Sequence, residues 1–138
     1  MDIKSLTKAE LVELIESLGE KKFRAVQLYQ WMHQKLAGDY EEMTNIPAAL
    51  KEKCRERFSY TSLICVREQI SKIDGTRKYL FGLSDGNVVE SVFMRYKHGN
   101  SVCISSQVGC RMGCRFCAST LDGLERNLLP SEMLDQIY

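Results

Sequence analysis

The chain has 138 residues and a mass of 15.8 kDa, with 44% hydrophobic and 27% charged side chains, which suits one ordinary domain or two small ones. Nineteen Lys and Arg against 18 Asp and Glu leave a net charge of +1, so the whole-chain charge does not indicate a nucleic-acid partner. Two prolines, nine glycines and the lack of a biased tract exclude collagen-like and low-complexity classes. With no signal peptide and no long apolar run, we expect a cytoplasmic protein without a membrane span.

The first 60 residues carry three helical patterns. A capping box, Thr7 to Glu10, predicts a first helix that Gly19 ends. A second helix is expected from about Lys21 to Leu36, because apolar residues recur there at helical spacing. A third helix starts near Pro47, since proline suits the first helical position.

After residue 60 the pattern changes to β structure. The predicted strands are Thr61–Ile70, Arg77–Leu83, Val88–Tyr96 and Ser101–Val108. The last strand leads directly into a cysteine-rich loop, Gly109–Cys117, and a helix follows from Leu128 to Tyr138. One β-loop-α unit leaves an open strand edge and an uncovered helix face, so we expect the chain to be a fragment of a larger protein.

Three of the six cysteines form a C-x3-C-x2-C pattern: Cys110, Cys114 and Cys117. In a reducing compartment, thiols this close indicate a metal or redox site rather than a disulfide framework. Three soft ligands leave a fourth position open, as in catalytic metal sites. The spacing favours an iron-sulfur cluster, while a zinc site completed by His98 and unligated cysteines remain as alternatives.

The motif C-x3-C-x-aromatic-C after a strand resembles the radical S-adenosylmethionine (SAM) superfamily. The string from Val102 to Cys110 is similar to the RlmN/Cfr family of RNA adenine methyltransferases. Further matches follow in order along the chain: 23–27 with Trp31, Met43-Thr44, Asp85-Gly86, Val89-Glu90-Ser91-Val92 and Arg126-Asn127-Leu128. The resemblance therefore covers essentially the whole chain.

The resemblance implies an α+β accessory N-terminal region followed by the first β-loop-α unit of a partial (β/α) radical SAM barrel, truncated. In this interpretation, residues 1–60 are a helical accessory RNA-binding domain, 61–95 a β-hairpin linker region, and 96–138 the incomplete start of the barrel. Because most of the barrel is absent, we expect the chain alone to lack methyltransferase activity.

The resemblance also implies the chemistry. Cys110, Cys114 and Cys117 would bind a 4Fe-4S cluster, with S-adenosyl-L-methionine on the fourth iron. The parent enzyme would methylate C2 of adenosine in 23S rRNA and tRNA through a methyl-cysteine intermediate and a 5′-deoxyadenosyl radical. Its partners would be those RNAs and a flavodoxin-like electron donor, and the enzyme would be monomeric. The alternatives are a Cfr-type C8 methyltransferase and a zinc-stapled, non-catalytic RNA-binding module.

Cys103 lies seven residues before Cys110 on the last predicted strand. With a period of two, Cys103 shares a polar face with Ser101, Ser105 and Gln107, which suits a reactive thiol. From the face alone, a buried structural cysteine is an equal alternative. The resemblance implies that Cys103 is the resolving cysteine, which forms a transient disulfide.

Glu90 shares its strand face with apolar residues. Such a carboxylate either pairs with a cation or accepts a proton in catalysis. The residues alone favour pairing with Arg95 or Lys97, or plain solvation. The resemblance reverses that preference and implies that Glu90 is the proton acceptor.

Residues 1–60 hold ten basic and ten acidic side chains, so the residues alone favour a solvated helix surface for the basic cluster Lys21, Lys22 and Arg24. Core positions are expected for two aromatic and two cysteine side chains: Phe23, Trp31, Cys54 and Cys65.

Overall fold

The computed structural model describes all 138 residues, in two compact units that comprise residues 1–62 and 63–138. The helices of the first unit are α1 Lys8–Ser17, α2 Lys22–His33 and α3 Ala48–Arg57, preceded by a single 3-10 turn at Ile3–Ser5. One apolar cluster, to which all three helices contribute, forms the core of this unit. No helix in the chain combines the length and the apolar character needed to cross a bilayer.

The start and the end of α1 follow the local sequence signals. The Glu10 carboxylate accepts a hydrogen bond from the Thr7 amide at 2.8 Å, and the Thr7 hydroxyl accepts one from the Glu10 amide at 3.3 Å. Gly19 follows the helix with a φ of 77°, a conformation that glycine adopts without strain. The predicted capping box and stop are therefore confirmed.

The predicted extension of α2 to Leu36 is wrong, because the helix ends at His33. Leu36 has a φ of 55° and is 46% exposed, so it leaves the apolar face that its spacing indicated. The Ala37 amide then donates to the Trp31 carbonyl at 3.0 Å and closes the turn.

The second unit contains two antiparallel sheets and one helix. Its elements are β1 Ile64–Ile70, β2 Arg77–Gly82, β3 Val88–Tyr96, β4 Gly99–Cys103, β5 Gln107–Gly109, β6 Leu124–Asn127 and α4 Pro130–Asp135, with a 3-10 turn at Ala118–Thr120. Strands β1 to β4 form one sheet in chain order, and β5 pairs with β6. The small core of this unit is built from Leu83, Val89, Val108 and Leu128.

The stretch Ser101–Val108, predicted as one strand, is two strands that belong to different sheets. The break lies at residues 104–106, where the side-chain amide of Gln136 accepts a hydrogen bond from the Ser105 amide and donates one to the Ser105 carbonyl, both at 2.8 Å. A strand partner would otherwise satisfy these two backbone groups. The side chain of Gln136, 31 residues away, therefore takes the place of a strand partner at Ser105.

The α+β class is confirmed, with helices in the first unit and antiparallel sheets in the second. The predicted β-loop-α unit contains an additional strand, because β6 pairs antiparallel with β5 before α4 begins. The pairing among these strands is that of two antiparallel sheets, so the partial barrel stays a prediction.

Candidate functional site

The cysteine-rich loop is the connection of the β5–β6 hairpin. At its base, the Cys110 amide donates to the Gly123 carbonyl at 2.8 Å. Gly109 has a φ of 72°, and a Cβ atom there would lie 2.0 Å from the Gly123 oxygen. Only glycine allows the two strands to approach this closely, so the base of the loop depends on Gly109.

Hydrogen bonds to backbone carbonyls hold Cys114 and Cys117 on one turn of the loop. The Thr120 hydroxyl lies 3.0 Å from the Cys114 carbonyl and 2.9 Å from the Cys117 carbonyl. The Cys117 amide also donates to the Cys114 carbonyl at 3.1 Å. The backbone that carries these two thiols is therefore fixed from its C-terminal side.

The three loop cysteines are half-buried and form no disulfide. No group of three or more His, Cys, Asp or Glu side chains is arranged to hold a metal ion, so the three thiols do not yet converge on one centre. His98 stacks on the ring of Tyr96, with ring centroids 5.1 Å apart, in the turn between β3 and β4. As a donor set, three closely spaced thiols fit an iron-sulfur cluster.

Glu90 and Cys103 lie on the same face of the four-stranded sheet. Cys103 on β4 is directly opposite Val92 on β3, and Glu90 is two residues before Val92. Residues opposite each other share a face, so Glu90 and Cys103 are diagonal neighbours whose backbones are about 7–8 Å apart. We call this surface the Glu90 face; it also carries Lys78 and Leu80 from β2.

Cys103 is exposed, so the alternative of a buried structural cysteine is wrong. Its predicted polar face does not continue to Ser105 and Gln107, because β4 ends at Cys103. Among the remaining cysteines, Cys54 lies in the core, where burial raises the pKa of its thiol to about 11.

The assignment of Cys65 to the core is wrong, because Cys65 is exposed. It lies on the edge strand β1, all seven residues of which are exposed. Phe23 is also 48% exposed, whereas Trp31 packs against the core as expected.

The carboxylate of Glu90 pairs with a cation, but the partner differs from those considered from the sequence. Lys78 Nζ lies 2.6 Å from Glu90 Oε1, across the β2–β3 pair, and neither Arg95 nor Lys97 contacts Glu90. The side chains of Lys78 and Glu90 are 44% and 57% exposed. An exposed pair of this kind contributes little to stability and exchanges partners readily.

A cleft of about 580 Å³ connects the Glu90 face with the base of the cysteine loop. Its lining includes Leu80, Glu90 and residues 105–109. Four residues of the loop also line it: Ala118, Ser119, Asp122 and Gly123. Glu90 and the segment that leads into Cys110 therefore line the same cleft.

Gln136, which follows α4, positions the segment between Cys103 and Cys110. Besides its two bonds to the Ser105 backbone, it accepts a hydrogen bond from the Ser91 hydroxyl at 2.7 Å. The Ser105 hydroxyl in turn donates to the Glu90 carbonyl at 2.8 Å. The sequence analysis did not identify Gln136. Its position gave one signal: Gln136 comes three residues after Met133, so at helical spacing this polar side chain lies on the apolar side of the predicted helix.

Arg126 holds β6 to the rest of the unit. Its guanidinium makes a bidentate pair with the buried carboxylate of Glu132, with both distances 2.8 Å, and reaches Asp85 at 2.6 Å. Hydrogen bonds from Arg126 lower the pKa of Asp85 to about 2 and hold the pKa of Glu132 below its usual value. The second strand of the loop hairpin is therefore joined both to the β2–β3 turn and to α4.

The chain is similar to several known proteins. A family model described as the ribosomal RNA large subunit methyltransferase N-terminal domain matches residues 1–59. The chain is 69% identical over 137 residues to a probable dual-specificity RNA methyltransferase RlmN of Lachnospira eligens, covering 99% of this chain and 39% of that protein. It is 61% identical over 141 residues to the protein of the same description from Lachnoclostridium phytofermentans, covering 100% and 39%.

Among solved structures, the chain is similar to the crystal structure of a radical SAM methyltransferase from Sphaerobacter thermophilus. The TM-score is 0.89 at 41% sequence identity, and the match covers 99% of this chain and 40% of that one. The chain thus spans about two fifths of the length of the relatives that it matches.

Proposed function

Because this chain belongs to the RlmN family, we propose that it carries the cluster loop, the proton acceptor and the resolving cysteine of a radical SAM enzyme that methylates C2 of adenosine in 23S rRNA and tRNA. One observation supports this most strongly. Glu90 and Cys103 are diagonal neighbours on one sheet face, and a cleft leads from Glu90 to the base of the cysteine loop.

In this proposal Cys110, Cys114 and Cys117 would hold a 4Fe-4S cluster, which would bind S-adenosylmethionine. When bound, this cluster supplies an electron for reductive cleavage of SAM, which is the source of the radical. The turn fixed by Thr120 presents Cys114 and Cys117, and the Gly109 base presents Cys110. Binding of the cluster would require the loop to rearrange so that the three thiolates meet at one centre.

Glu90 accepts the proton that leaves C2 of the adenine. Lys78 pairs with the carboxylate through Oε1 at 2.6 Å, and the Glu90 side chain is 57% exposed, so the carboxylate is accessible to a substrate. A carboxylate that is paired with a cation and still accessible is both oriented and able to take a proton.

Cys103 acts after the carbon has been transferred from a methyl-carrying cysteine of the enzyme. Its exposed thiol attacks the sulfur of that cysteine and gives up its proton. A sulfur–sulfur bond forms as the carbon–sulfur bond breaks, and the electron pair of the broken bond takes up a proton at the carbon, which becomes the methyl group of the adenine. The exposed, reduced state of Cys103 suits this role.

The remaining assignments complete the proposal. Residues 1–60 act as the accessory RNA-binding domain, residues 61–95 link it to the catalytic part, and residues 96–138 begin the barrel. A flavodoxin-like protein supplies electrons to the cluster, and the enzyme acts as a monomer in the cytoplasm.

The proposal is tested by anaerobic reconstitution of the 138-residue chain with iron and sulfide. We expect a brown protein with the broad absorption of a cluster, and loss of that absorption in Cys110→Ala. Cys65→Ala is the matched control, because Cys65 is an exposed thiol outside the loop, and it should keep the cluster. A colourless sample that binds one zinc ion per chain would refute the proposal in favour of a zinc-stapled module.

A further inference from the structure

The surface of α2 differs in charge from the rest of the first unit. Residues 21–38 contain four basic side chains and no acidic one, whereas α1 carries Glu10, Glu13 and Glu16. The neutral balance of residues 1–60 therefore conceals two surfaces of opposite charge. A locally basic surface is the electrostatic signature of a polyanion partner.

The basic residues of this segment have no carboxylate partner, in contrast to cations elsewhere in the unit. Lys53 pairs with Glu20 at 3.1 Å, and Arg55 pairs with Glu41 at 2.6 Å. None of the ion pairs involves Lys21, Lys22, Arg24 or Lys35. No carboxylate of the unit neutralises these four positive charges.

Two aromatic rings lie among these charges. The Arg24 guanidinium is 4.7 Å from the centroid of the Phe23 ring, and Lys35 Nζ is 3.6 Å from that of Trp31. Arg24 and Trp31 are both fixed by Asn45: Arg24 donates to its carbonyl at 3.0 Å and Trp31 to its side chain at 2.5 Å. The exposed ring of Phe23 costs free energy in water unless a ligand covers it.

We propose that this α2 surface, defined by Lys21, Lys22, Phe23, Arg24, Trp31 and Lys35, binds unpaired RNA. The basic side chains contact phosphates, and Phe23 stacks on a base, the combination by which proteins bind single strands without reading their sequence. The inference rests on the proposed function, since it places the RNA contacts of the accessory domain on one helix and its flank. An acidic polypeptide would use the same charges but would gain little from the aromatic ring.

The only tryptophan of the chain reports on this surface. Titration of the 138-residue chain, without cluster, with a single-stranded RNA of about 12 nucleotides should change the fluorescence of Trp31, because Lys35 leaves the indole face for a phosphate. Phe23→Ala should weaken binding about tenfold. Lys35→Gln should weaken it several-fold and reduce the salt-dependence slope by about 0.7.

Arg57→Gln is the matched control, because it removes one exposed charge of the same unit from a different helix. It should bind RNA within about twofold of the wild-type chain. The inference is overturned if Phe23→Ala and Lys35→Gln bind like wild type, if Arg57→Gln loses as much affinity as Lys35→Gln, or if poly-glutamate binds as tightly as RNA. Cluster reconstitution does not involve this surface, so the inference and the proposed function can fail separately.

Discussion

Arg126 on β6 pairs with one carboxylate in the β2–β3 turn and another in α4. These two carboxylates differ in how deeply they are buried. The side chain of Glu132 is only 5% exposed, while that of Asp85 is 37% exposed. Removal of the guanidinium leaves the Glu132 carboxylate buried without its cation, which is far more costly than the loss of a surface pair.

We expect Arg126→Met to lower the free energy of unfolding by about 2–3 kcal/mol, measured by urea denaturation. Arg77→Met is the control within the same unit, because its pair with Glu68 is exposed on both sides; it should cost less than about 1 kcal/mol. Equal losses in the two variants would show that burial of Glu132 contributes nothing.

The same cluster predicts a dependence on pH. The pKa of Asp85 is lowered from 3.8 to about 2, and that of Glu132 is lowered as well. A lowered pKa in the folded state gives stabilisation that is complete above the unfolded value and is lost as the pH falls toward 2. Urea denaturation between pH 5 and 2 should show a steeper loss of stability in the wild-type chain than in Arg126→Met; parallel profiles would contradict the assignment.

At the scale of elements, the loop hairpin depends on the close approach of β5 and β6. Gly109→Ala introduces both a strained φ and a clash with the Gly123 carbonyl, whereas Gly123→Ala, at a φ of 74°, meets nothing within 4 Å. We expect Gly123→Ala to cost about 1–2 kcal/mol. Gly109→Ala should cost more and remove the protection of the Cys110 amide in hydrogen-exchange measurements. Equal effects of the two changes would mean that the close contact is unimportant.

The sequence predicted those structural features that depend on hydrogen bonds or backbone angles of neighbouring residues. The capping box of α1 and the stop at Gly19 lie within a few residues of the atoms that they organise, and both are found. The break after Cys103 could not be predicted in this way, because its cause is Gln136, 31 residues from Ser105. The exposure of Cys65 likewise could not be predicted, because no pattern within β1 reveals that both faces of this strand are uncovered.

At the scale of the whole molecule, the spacing of the cysteines indicated the chemistry of the site. It did not indicate how the sheet brings the other site residues together. The C-x3-C-x2-C pattern identifies a thiol ligand set, and the resemblance assigned roles to Glu90 and Cys103. Their position on one sheet face required the register of β3 and β4, and the partner Lys78 required that of β2. Likewise, the net charge of +1 concealed the basic surface of α2.

The central claim is that Cys110, Cys114 and Cys117 alone ligate the cluster, while Cys103 remains a free thiol for chemistry. Its most direct test is the iron content and Mössbauer spectrum of the reconstituted chain and of single Cys→Ala variants at all six cysteines. We predict about four iron ions per chain in a 4Fe-4S cluster, lost in each of the three loop variants and retained in Cys54→Ala, Cys65→Ala and Cys103→Ala. Retention of the cluster in any loop variant, or its loss in Cys103→Ala alone among the others, would contradict the account.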